Sequence, residues 1–193
     1  MDQTSVIVNW IKAVNAFAEL LTYLSFAGGI LAIAMCFNRV RKLSSQGAMQ
    51  SMVQYTPKSV FILFCVGGFC IYLGSTIQAL DETIFLGVNA VSGGDPLSWR
   101  ADDTVSTSGG PEALVMMLIK RVIQVFGLAG IVNALREMAK MSNPARSNGN
   151  EGGIGTVVAF AFGGIALLRI DKSVAVLAEM LPYFDGLAKA FSI

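Results

Sequence analysis

Four ionisable side chains fall within apolar stretches or at their ends: Glu19, Lys120, Arg121 and Arg169. Charge in hydrocarbon is costly, so such groups mark function by default. At 1.5 Å per residue, Glu19 lies about 25 Å from Cys36, Lys120 about 27 Å from Met138, and Arg169 about 24 Å from Gly153. All three then fall at one level, near the outer interface. Three roles fit them. The long cations can snorkel to the headgroups. Glu19 can pair with Lys120 or Arg121 between helices. The cations can hold anionic phospholipid, within one chain or between copies. A proton relay would need carboxylates or histidines in series at mid-membrane, and the sequence offers none.

The remaining chemistry is thin. The chain has no histidine, which removes the commonest general base, metal ligand and pH switch. Cys36, Cys65 and Cys70 lie in apolar runs without a CxxC pattern, and read as small buried hydrophobes. No metal, no cofactor and no enzymatic activity are expected. The Gly-rich stretch Ser142–Gly153 is a turn-rich loop, without the Gly-Lys-Ser/Thr of a phosphate-binding loop. A net charge of +1 gives no global attraction to nucleic acid.

What must position these charges is a membrane fold. The 193 residues are 54% hydrophobic and 14% charged, against about 25% charged in soluble domains. Mean hydropathy is +0.62. The fold expected is an all-α membrane protein with about four transmembrane helices in two hairpins, plus amphipathic terminal segments. Residues 1–193 form one membrane domain. The first hairpin occupies 1–80, with spans at about 14–37 and 59–80. An acidic, Gly/Ser-rich outer loop follows at 81–111. The second hairpin occupies 112–172, with spans at about 112–138 and 153–170. Trp10 and Lys12 suit an interfacial anchor. Residues 173–193 read as an amphipathic tail with Val176, Leu177, Met180, Leu181 and Phe184 at helical spacing and a kink at Pro182. A straight continuation of the fourth span is the rival for this tail.

Loop charge sets the orientation. The first loop carries Arg39, Arg41, Lys42 and Lys58 and no acid. The second carries Asp81, Glu82, Asp95, Asp102, Asp103 and Glu112 against Arg100 alone. The third carries Arg136, Lys140 and Arg146 against Glu137 and Glu151. The first and third loops therefore face the cytoplasm, with both termini outside. Around a pore, Arg39, Arg41, Lys42 and Lys58 could line the lumen and attract anionic cargo.

Each span carries mid-helix glycines: Gly28 and Gly29, Gly67 and Gly68, Gly127 and Gly130, Gly163 and Gly164. Glycine lets a second backbone approach, so these positions are expected to pack helices. GGILAIAMCFNRVRKLSS resembles AGIVNALREMAKMS, and each leads through a basic loop to a Gly-Gly helix, which suggests a parallel repeat.

The second half, VIQVFGLAGIVNALREMAKMS followed by a Gly-rich loop and GGIGTVVAFAFGGIALLRI, resembles a known group. These are the small inner-membrane proteins of type IVB secretion and IncI-type conjugation, the IcmC/DotE and TraQ group. Gly127, Gly130, Gly152, Gly153, Gly163 and Gly164 carry the likeness, over about 60 residues. Phe160 or its neighbours stand where relatives have a histidine, and Arg169 where they have a neutral polar residue. The resemblance implies a structural subunit of a secretion or conjugative transfer apparatus in a Gram-negative envelope. Each hairpin, with its basic cytoplasmic loop and outward termini, is similar to a type IV secretion pilin, so the chain looks like two such hairpins in tandem, which suggests polymerisation through Gly-lined faces. The partners implied are further copies, other apparatus subunits, membrane lipid, and transferred DNA or protein if the chain lines a channel. The alternatives are a small channel or transporter, for which Asn133, Ser75, Thr76 and Gln124 are sparse polar groups, and a stationary inner-membrane assembly component.

Overall fold

A computed structural model describes residues 3–45, 56–85, 97, 110–143, 153–181, 183 and 186. All regular structure among them is helical. The helices are α1 (Gln3–Ser45), α2 (Pro57–Ile71), α3 (Leu73–Ile84), α4 (Gly110–Met141), α5 (Ile154–Leu168) and α6 (Ile170–Met180). Helices α1 and α4 are each long and apolar enough to cross a bilayer. The number of crossings rises to four if each interrupted pair, α2/α3 and α5/α6, is one span. The chain is thus a multi-pass helical membrane protein.

The boundaries differ from those expected, for local reasons. Helix α1 runs well beyond 14–37 at both ends, since no proline interrupts it and Lys42 in its last turn suits the helix dipole. Trp10 and Lys12 are therefore helical, and Trp10 is exposed. Helix α2 starts at Pro57. Thr56 caps it in extended conformation, accepting a hydrogen bond from the Ser59 amide at 3.3 Å, and Pro57 takes the first turn, where no amide is needed.

The expected span 59–80 is not one helix. Tyr72 has φ −100° and ψ 43°, and the chain restarts as α3. The expected span 153–170 matches α5 to within two residues at each end; the helix stops at Arg169, with φ −108° and ψ 53°, and α6 leaves α5 at 92°. That bend removes the straight continuation of the fourth span. Helices α2 and α5 each hold 15 residues, about 22 Å of rise, short of the ~30 Å hydrocarbon core. One order of elements occurs twice: a long helix, a 15-residue apolar helix, a one-residue break, and a short amphipathic helix.

The chain divides into two compact units. In the unit of residues 22–73 and 131–161, Ala32 and Cys36 of α1 pack on Leu63 and Val60 of α2. In the unit of residues 1–21, 74–130 and 162–193, Ile11, Asn15 and Ala18 form the buried face of α1. Ile77 and Asp81 of α3, Leu114, Arg121, Gln124 and Leu128 of α4, Ile165 and Leu168 of α5, and Lys172 and Val174 of α6 are buried in the same unit.

Candidate functional site

Among the described residues, a dense polar arrangement surrounds the break between α5 and α6. A bend frees carbonyls that a continuous helix would satisfy. Here side chains catch two of them. Gln124 Nε2 of α4 donates to Leu168 O at 3.4 Å, and Ser173 Oγ donates to Ala166 O at 2.7 Å. Gln124 Oε1 in turn accepts from Arg121 Nη1 at 3.4 Å.

Helix α4 reaches this elbow because residue 127 is glycine. A Cβ there would collide with the Leu168 backbone and lie 2.6 Å from Gly164 O. No rotamer change relieves a clash against backbone.

Charge completes the site. Asp81 Oδ2 accepts from Lys172 Nζ at 2.8 Å and from Arg169 Nε at 3.2 Å, with Arg169 Nη2 also at 3.2 Å. Relative exposures are 3% for Asp81, 8% for Arg169 and 9% for Lys172, so this is a buried triad. Charge-assisted bonds of this kind are among the stronger polar contacts. Lys172 Nζ also stands 5.8 Å from the Phe85 ring centroid, at cation–π distance. Asp81 Oδ1 has no hydrogen-bond partner among the described residues. Half-buried Lys120 lies within electrostatic reach of Asp171 and Arg121.

The expected site residues distribute as follows. Arg169 is the elbow residue and faces Asp81. Arg121 is buried beside Gln124. Glu19 lies on an exposed face of α1.

The basic residues expected in the first loop are helical. Arg39, Arg41 and Lys42 occupy the end of α1, and Lys58 the first turn of α2. Arg41, Lys42 and Lys58 are exposed. Arg39 instead closes the C-terminus of α4, donating to Ser142 O at 2.7 Å, Ser142 Oγ at 3.0 Å and Asn143 Oδ1 at 3.2 Å. Free carbonyls and the negative dipole end explain why an arginine settles there.

The glycines split. Gly29 and Gly67 bring α1 and α2 together: a Cβ on Gly29 would lie 2.9 Å from Gly67 O, and one on Gly67 2.6 Å from Ile33 Cγ1. Gly127 joins α4 to α5 at buried Gly164. Gly130 is half-buried on α4. At Gly28, Gly68 and Gly163 a Cβ would meet no atom of the described residues within 4 Å. A helix turns neighbouring residues about 100° apart, so one glycine of a pair faces in and the other out.

Asp81 and Lys172 were missed as a pair because both read as span-end charges. Leu73, Ile77 and Asp81 are spaced by four on α3, which places Asp81 on the buried face. No known protein family, curated protein or solved structure matches this chain.

Proposed function

We propose that the chain is a structural, non-enzymatic membrane subunit of a type IV-like secretion or conjugative transfer apparatus, built to assemble with copies of itself. The observation that carries this is the division of the glycines. Gly28, Gly68 and Gly163 leave bare backbone on helices whose outer surfaces are apolar, with Leu24, Leu31, Phe61, Phe64, Phe160 and Phe162 exposed. In lipid, backbone bared by glycine favours close packing against another helix. Among the described residues the close helix contacts use Gly29, Gly67 and Gly127, which leaves Gly28, Gly68 and Gly163 to meet a second copy.

The resemblance of the second half to the type IVB group supports the apparatus, and the loop charges support an inner-membrane orientation with basic ends inward. A pilin-like polymer is the finer form of this proposal. Anionic phospholipid held near Lys120 and Arg121 belongs with it. The test is gentle shearing of host cells, then mass spectrometry of the released and membrane fractions. Full-length chain in sheared filaments supports the pilin-like form. Chain confined to the inner membrane, but cross-linked to apparatus subunits, supports a stationary subunit. Chain in neither filaments nor such cross-links overturns the proposal.

A further inference from the structure

We infer that the Asp81–Arg169–Lys172 triad is a latch that holds α5 and α6 bent, and that releasing it lets them straighten into one membrane-crossing helix. Three observations carry this.

First, the bend has a ready alternative. In a continuous helix Ala166 O and Leu168 O would accept from the amides of Ile170 and Lys172. In the bent state the same carbonyls are held by Ser173 Oγ and Gln124 Nε2 instead. Helix α6 begins at Arg169 with no side-chain cap, so its first amides also gain partners on straightening. Neither proline nor glycine occupies 169 or 170, so the covalent chain does not force the break.

Second, length favours the straight form in a bilayer. Helix α5 alone supplies about 22 Å, whereas residues 154–180 as one helix supply about 40 Å, enough for the ~30 Å core with tilt.

Third, the contact that opposes straightening is the ion pair. Lys172 sits one turn into α6, and its Nζ bonds to Asp81 on α3 at 2.8 Å. Swinging α6 into line with α5 carries Lys172 away from Asp81. The Arg169 contact fixes the elbow itself to the same carboxylate. Bent and straight states thus differ by exchange of two side-chain bonds for backbone bonds, plus one charge contact. That is the make-up of a bistable element.

The experiment uses full-length protein in lipid nanodiscs, with spin labels at Val158→Cys and Glu179→Cys and the native cysteines replaced by alanine. With perpendicular helices the backbone separation is about 22 Å, and with a straight helix about 32 Å. The parent should give the short distance. Asp81→Asn should shift the distribution toward the long one. Lys172→Gln, which keeps Arg169 in place, should shift it less. The exchange Asp81→Lys with Lys172→Asp should recover the short distance relative to Asp81→Asn. A short distance retained in both Asp81→Asn and Lys172→Gln overturns the latch. If Asp81→Asn does not give monodisperse protein, the Lys172→Gln distance decides alone.

Discussion

Lys172 Nζ donates to Asp81 Oδ2 at 2.8 Å although 91 residues separate the two in the chain. Arg169 shares the same oxygen. One carboxylate on α3 therefore holds two cations that flank the break between α5 and α6.

Removing that carboxylate leaves two buried cations short of their counter-charge. Asp81→Ala should cost about 3–5 kcal/mol, read as a lower unfolding midpoint in detergent by tryptophan fluorescence. Replacing all three, as Asp81→Leu with Arg169→Met and Lys172→Leu, should recover most of the loss, because an apolar trio removes the desolvation cost along with the attraction. Equal losses in both variants would show that the ion pair is not what the fold lacks.

Gly127 and Gly163 should respond oppositely to the same methyl group. Gly127→Ala forces α4 away from the Leu168 backbone and should destabilise by about 1–3 kcal/mol. Gly163→Ala meets no atom of the described residues within 4 Å and should change monomer stability by no more than about 1 kcal/mol. The same unfolding assay separates them.

Arg39→Ala should destabilise by about 1–2 kcal/mol, because it strips donors from Ser142 O and Asn143 Oδ1 at the end of α4. Arg41→Ala, at an exposed position on the same helix, should stay within about 0.5 kcal/mol. Similar losses for both would mean that the α4 contact contributes nothing.

Cysteine introduced at Ser44 should react with an impermeant thiol reagent only from the cytoplasmic side, and cysteine at Glu112 only from the outside. Both positions are exposed. The reverse pattern would invert the orientation read from loop charge.

Helices α1 and α4 were legible as apolar runs, since length and hydropathy decide whether a segment can cross a bilayer. The break at Tyr72 was not, and although the fourth span was expected to end near 170, the bonds that hold the bend there were not. Neither position carries a helix breaker, and the interruption at Arg169 is stabilised by Asp81, Gln124 and Ser173, two of them remote in sequence. Local pattern cannot show bonds closed over 88 or 44 residues. The glycines were legible as packing positions, but their division was not, because sequence alone does not say which side of a helix its neighbour takes. Arg39 is the same kind of case: its charge marks the cytoplasmic end, while its bonds to Ser142 depend on where α4 stops. The acidic stretch 93–109 lies outside the described residues except for Leu97, which is buried.

The most direct test of the central claim, that the open glycines join copies of this chain, is native mass spectrometry on protein extracted in polymer nanodiscs. The wild type should be oligomeric. Gly28→Leu, Gly68→Leu and Gly163→Leu combined should give monomers of unchanged helical content. An oligomer that survives all three substitutions, or a wild type that is already monomeric, would contradict it.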